Sequence, residues 1–242
     1  MGILLLLLSL LILFLLLYRI ATLFSKNLYI FFFLLSKDKE LSIHLLAWFL
    51  LPGTVIHELS HMLIAELIGV KTGQFSFTPQ VKREGGIRIG GLKITKSGPF
   101  RRTLIGLAPP LFGSLIIVAL FHFLIFPNLS VPASLLKANL ITILSLALGT
   151  YLLFIVSNTM FSSQKDLEAV SFPLFFILLI STAYWLSDFK ITVPEKVIPG
   201  VANALKALNV ALLGTIIVDL WFLGLIKLLT LFSSKILKRR VI

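Results

Sequence analysis

Residues 45–65 read LLAWFLLPGTVIHELSHMLIA, an apolar segment that contains two histidines and one glutamate. In an α-helix, residues four apart lie about 40° apart around the axis and about 6 Å apart along it, so His57 and His61 project from the same face. Glu58 lies about 100° from His57 around this helix. This H-E-x-x-H pattern predicts that the imidazoles bind one metal ion, and that Glu58 acts as general base on a water at that ion.

The competing explanation is an accidental pattern on a polar helix surface. The apolar flanks of the motif argue against it, because ionisable groups within an apolar span are costly and are usually functional. The sequence therefore favours zinc bound by His57 and His61, with Glu58 as the catalytic residue.

The whole chain has the composition of a helical membrane protein. It has 242 residues, of which 58% are hydrophobic, and it contains no cysteine. The lack of cysteine excludes thiolate metal ligands, disulfides and a cysteine nucleophile. We attribute the net charge of +12 to positive-inside bias and to anionic lipid at the cytoplasmic face, and not to nucleic-acid binding.

Long apolar runs predict an all-α polytopic membrane protein with about six transmembrane helices. The expected spans are residues 2–18 with an extension to 24, 41–70, 103–126, 135–161, 169–186 and 202–232. Residues 28–35 are too short to cross a bilayer alone, and we expect them to lie at the interface or to extend the first helix. We expect Pro52 to kink the second span or to open it beside the metal, and Pro109 and Pro110 to interrupt the third.

The polar segment of residues 71–102 carries eight basic residues and one acid. The positive-inside rule places it in the cytoplasm. Residues 74–78 and 86–90 alternate between apolar and polar side chains, which predicts a small cytoplasmic β-hairpin or sheet between the second and third spans. We expect its backbone, including Ile87 and Ile89, to bind substrate as an added strand.

A catalytic zinc commonly has three protein ligands, so one more is needed. Depth in the membrane favours Asp219, which lies in the middle of the sixth span. The polar cluster at residues 157–168 favours Asp166, because so many polar residues would be hard to explain as a plain loop between two spans. The single mid-span Asp219 can instead be explained by a pairing with Lys227 on the same helix. The candidates are His122, Asp166, Glu168 and Asp219, of which we expect His122 to be structural and prefer Asp166.

The motif in an early span, the strand-rich segment after it and Asp166 about a hundred residues later resemble the site-2 protease family of intramembrane zinc metallopeptidases. The resemblance covers about residues 42–170 of a single domain at 1–242. It implies that His57, His61 and Asp166 bind zinc, that Glu58 is the base, and that the substrate is a membrane protein or peptide.

The resemblance is weaker away from the motif helix. The family has Asp-Gly at the distant ligand, whereas residues 164–168 read QKDLE. The family has Gly-Pro-x-x-Asn in the preceding helix, whereas residues 108–113 read APPLFG. Asn158 precedes Asp166 by two helical turns, and we expect it either to contact substrate or to serve helix packing.

Two other functions compete with proteolysis: divalent-metal transport, and metal binding without catalysis. Transporter motifs of this kind have a proline inside the motif and a glutamate directly after the second histidine, where this chain has Ser60 and Met62. The intact Glu58 argues against a non-catalytic role. We expect a multi-pass protein of the plasma membrane of a prokaryote.

Overall fold

The computed structural model describes residues 2–76, 80–81, 87–88, 90–95, 97–125, 140–161, 179, 182 and 197–237. Within these ranges, five helices are long and apolar enough to cross a membrane, so the predicted helical fold with several candidate spans is confirmed. They are α1 (Gly2–Ser36), α2 (Lys39–Leu67), α3 (Pro99–Leu120), which continues as a π-helical turn at Phe121–Ile125, α4 (Leu140–Thr159) and α5 (Val197–Ile236).

The five helices match the predicted first, second, third, fourth and sixth spans. Residues 28–35 extend the first helix. Apart from residues 179 and 182, which are helical, the predicted fifth span lies outside the described residues. The count of six spans therefore stays a prediction.

A two-residue turn joins α1 to α2. Lys37 adopts a positive φ of 59°. Asp38 accepts hydrogen bonds from the backbone N–H groups of Glu40 and Leu41 at 2.8 and 3.3 Å. This cap satisfies donors of the first turn that have no acceptor within the helix. So short a turn makes α1 and α2 an antiparallel pair.

The prolines do not break their helices. Helix α2 is continuous through Pro52, and α3 is continuous through Pro109 and Pro110. The expected opening at Pro52 and the expected interruption of the third span are therefore wrong. Each proline removes one backbone hydrogen bond, but packing against neighbouring helices contributes most of the stability of a buried helix.

The polar segment between α2 and α3 forms a two-stranded ribbon, as predicted. Strand β1 (Thr72–Ser76) pairs with β4 (Gly91–Ile94), and β2 (Gln80–Val81) pairs with β3 (Ile87–Arg88), both antiparallel. Ile87 lies in β3, whereas Ile89 is outside the described residues. Strands β1 and β4 pack against α2.

Helix α4 lies at the centre of the bundle, in contact with α1, α2, α3 and α5. It runs parallel to α2. The Tyr151 hydroxyl donates to the Phe49 carbonyl at 3.2 Å, and one turn further along, Gly53 abuts Ile155 and Thr159. A side chain at residue 53 would overlap α4, so glycine permits this close approach. The parallel arrangement brings the end of α4 to the level of the H-E-x-x-H turn.

Candidate metal centre

The two motif histidines converge on a single point. Their Nε2 atoms lie 3.2 Å apart, and their rings are nearly perpendicular, at 88°. Two nitrogens that each lie about 2.0–2.1 Å from a tetrahedral zinc are themselves about 3.3 Å apart. Both side chains are buried, so the pair fits zinc in both spacing and shelter from solvent.

A backbone carbonyl of α3 orients one of the histidines. Nδ1 of His61 lies 2.8 Å from the carbonyl oxygen of Ile105. A carbonyl can only accept, so Nδ1 carries the proton and Nε2 presents its lone pair towards His57. This is the usual arrangement of a metal-binding histidine, in which the second ring nitrogen is held by an outer hydrogen bond.

The predicted base, Glu58, is buried where the ribbon approaches α2. Glu58 is 6% exposed. A Cβ placed on Gly90, directly before β4, would lie 3.8 Å from Glu58 Oε1 and 2.8 Å from Thr54 Cγ2. The ribbon backbone therefore passes beside the base. Glu58 lies nine residues before the end of α2, or about 14 Å along the helix, so the ribbon extends that far back along α2 from its C-terminal end.

The third ligand is not found within the ranges that the structure describes, where no group of three or more His, Asp or Glu side chains could hold a metal. Asp166 and Glu168 lie outside those ranges, and the preference for Asp166 stays a prediction. His122 is in the π-helical turn, with Nδ1 3.2 Å from the Val118 carbonyl oxygen.

Asp219 lies in a different polar cluster. It is fully buried, and its Oδ1 accepts hydrogen bonds from Ser157 Oγ at 2.9 Å and from Asn158 Nδ2 at 3.2 Å. The expected pairing with Lys227 is wrong, since that side chain is exposed. The hydrogen bonds from Ser157 and Asn158 of α4 are the contacts that Asp219 makes instead.

Helix α4 contacts α2 and the polar cluster around Asp219 through different residues. Ile155 and Thr159 face α2 at Gly53. Ser157 and Asn158 face α5. Ser157 points about 160° away from both Ile155 and Thr159 around the helix, so the contact with Gly53 and the contact with Asp219 are on opposite faces of α4. The Asn158 amide also donates to the Phe154 carbonyl at 2.8 Å, and its expected contact with substrate stays a prediction.

Sequence reasoning missed two features of this site, although both have a signal. One is the close approach at Gly90, and a glycine inside a strand pattern is often a sign of such an approach. The other is the Ile105 carbonyl, which lies four residues before a proline.

Comparison of the chain with protein-family models, curated proteins and solved structures finds no match.

Proposed function

We propose that the protein is an intramembrane zinc metalloprotease that hydrolyses peptide bonds of membrane-associated substrates. The observation that carries this proposal is the 3.2 Å convergence of the His57 and His61 Nε2 atoms next to buried Glu58. The resemblance to the site-2 protease family supports it, and by that resemblance Asp166 is the third ligand.

Each group has a distinct role in the proposed reaction. His57 and His61 would hold the ion, and the Ile105 carbonyl keeps the His61 ring in the orientation that suits binding. Zinc held there would supply a Lewis acid for activating water and polarising the substrate carbonyl. Glu58 accepts the proton of the attacking water and returns it to the departing amine.

The position of the site along the helices supports a membrane-associated substrate. Lys206 and Lys227 are exposed on α5, and the 20 residues between them extend about 30 Å, the thickness of a bilayer core. Ile56, next to His57, packs against an apolar cluster that includes Ala211, Leu212 and Ile216, all of which lie between the two lysines. This packing supports a position of the proposed site within the membrane, where a transmembrane substrate could reach it.

The ribbon could hold a transmembrane substrate in the extended form that cleavage requires. The carbonyls of a transmembrane helix are already hydrogen-bonded within the helix, so the substrate must unwind before it can be cleaved. A β-ribbon can hold an extended peptide by adding it as a strand. At Gly90 the ribbon lies beside Glu58, so a peptide bound there would be near the base.

The basic surface where α2 ends and α3 begins suits anionic lipid. Four exposed side chains lie there: Lys71, Lys93, Arg101 and Arg102. Each basic residue near an anionic surface contributes about 1 kcal/mol of attraction. We propose that this end of the bundle faces the cytoplasm and contacts anionic headgroups.

The test compares cleavage of fluorescently labelled, unstructured casein by the purified wild type, Glu58→Gln and Glu66→Gln. Glu66 lies on the same helix but is exposed, so its variant controls for the loss of a carboxylate. We expect wild type and Glu66→Gln to cleave alike. Glu58→Gln should keep its metal and lose at least about 10²–10⁴-fold in rate. Equal cleavage by both variants would remove Glu58 from the mechanism.

The same variants separate proteolysis from metal transport. A transporter would carry zinc into vesicles, and this flux does not require a general base. Zinc uptake that survives in Glu58→Gln, together with no cleavage of casein by the wild type, would favour transport over the proposal.

A further inference from the structure

Helix α3 has a gap in its backbone hydrogen bonding at the point where it meets His61. In an α-helix the N–H of residue i donates to the carbonyl of residue i−4. Pro109 has no N–H, so the carbonyl of Ile105 lacks the donor that any other residue at 109 would supply. That carbonyl oxygen is the one that lies 2.8 Å from His61 Nδ1.

We propose that Pro109 is a positioning residue of the metal centre, which keeps the Ile105 carbonyl open as the acceptor for His61. The proposal rests on the proposed function in so far as it concerns zinc. Pro109 itself does not contact the ion and acts only through the carbonyl.

Because both groups are buried, each depends on the other for its hydrogen bond. His61, Ile105 and Pro109 are all buried, so solvent is a poor substitute for either partner. A buried carbonyl that has lost its helical donor requires another one. A buried imidazole N–H likewise requires an acceptor. The proline and the histidine therefore satisfy each other's requirement, and the His61 ring is held with Nε2 towards His57.

The neighbouring proline provides a matched control. Pro110 removes the helical donor to the Gly106 carbonyl in the same way, and in the described part of the chain no side chain is seen to donate to that oxygen. Pro110 is moreover only half-buried. Both prolines interrupt the same helix, but only Pro109 opens the carbonyl that His61 uses.

The experiment measures two quantities in Pro109→Ala and Pro110→Ala. One is the zinc dissociation constant, by competition with a chelator. The other is the unfolding temperature of the metal-free protein. Both variants regain a backbone N–H, so the unfolding temperature of Pro110→Ala should stay level or rise. In Pro109→Ala the restored N–H competes with the buried His61 N–H for the same acceptor, so its unfolding temperature should lie below that of Pro110→Ala. Only Pro109→Ala should bind zinc more weakly, by about 10–100-fold.

The difference in zinc affinity between the two matched variants distinguishes positioning from a purely structural role. If Pro109→Ala binds zinc as tightly as wild type, or if both variants weaken zinc equally, the proposal is overturned. Pro109→Leu, which also restores the N–H and keeps a larger apolar side chain, should reproduce Pro109→Ala.

A further measurement keeps the inference separate from the proposed function. Nitrogen-15 spectra of histidine-labelled, metal-free protein report which ring nitrogen of His61 carries the proton. We expect the Nδ1–H form in wild type and Pro110→Ala, and a reduced fraction of it in Pro109→Ala. Unchanged spectra would refute the role of Pro109. Wild type that binds no zinc would refute the proposed function instead.

Discussion

Substitution of Gly90 by alanine should move the ribbon away from Glu58, the proposed base. The added Cβ would lie 2.8 Å from Thr54 Cγ2 and 3.4 Å from the Ser76 carbonyl oxygen. Carbon atoms in contact are normally about 3.5–4.0 Å apart, so the ribbon and α2 must separate by roughly 1 Å. Overpacking of this kind costs about 1–3 kcal/mol of folding free energy.

The shift occurs beside Glu58, since the same Cβ would lie 3.8 Å from its Oε1. A misplacement of about 1 Å in a catalytic constellation can cost about 10²-fold in rate. We therefore expect Gly90→Ala to lower casein cleavage to that extent, in addition to lowering stability. Denaturant unfolding followed by circular dichroism measures the stability.

A second substitution tests whether the contact with Thr54 is the cause. Thr54→Ser removes the Cγ2 atom but keeps the hydroxyl that donates to the Leu50 carbonyl at 3.0 Å. In the double variant, stability and cleavage should largely recover, with a coupling energy of about 0.5–3 kcal/mol. Gly98→Ala, where a Cβ meets nothing within 4 Å, is the control. Wild-type behaviour of Gly90→Ala, or no recovery in the double variant, would refute the reasoning.

Three further predictions concern the ligand set, the ribbon and the helix contacts. Zinc content should fall in Asp166→Ala and persist in Asp219→Asn, as measured by mass spectrometry of the metal; the reverse result would move the third ligand to α5. Ile87→Pro should impair cleavage without loss of zinc, because proline removes a strand donor, and normal cleavage would reduce the ribbon to a connector. Gly53→Ala should cost about 1–3 kcal/mol in denaturant unfolding through overlap with α4, whereas Gly200→Ala, in open space, should not destabilise α5.

The local part of the site could be predicted from the sequence. Helical spacing alone places His57 and His61 on one face with Glu58 beside them, and the structure brings the two imidazoles together. Alternation likewise predicted strands between the second and third spans. Both predictions depend on residues only a few positions apart in the chain.

The non-local part could not be predicted. The sequence around Gly90 does not indicate that Thr54 is its partner, because that contact depends on how the ribbon folds back along α2. Asp219 and Lys227 are about 80° apart on one helix, which suggested a pair. Neighbours on α4, Ser157 and Asn158, decide the contact instead.

The acceptor of His61 is a backbone atom and has no side-chain signature. Its only sequence signal is Pro109, four residues after Ile105. We interpreted that proline as a break in the third span, because proline is unfavourable in the interior of an isolated helix. Packing against the other helices overrides that preference, and the unpaired carbonyl then becomes available to a neighbouring helix.

Metal analysis tests the central claim most directly. Wild type, His57→Ala and His44→Ala are purified without added chelator, and zinc per chain is measured. His44 lies on the same helix but is exposed, with Nδ1 2.7 Å from the Glu40 carbonyl oxygen, so its variant controls for the loss of a histidine. We predict one zinc per chain in wild type and in His44→Ala and none in His57→Ala. Wild type without stoichiometric metal, or zinc retained by His57→Ala, would contradict the account.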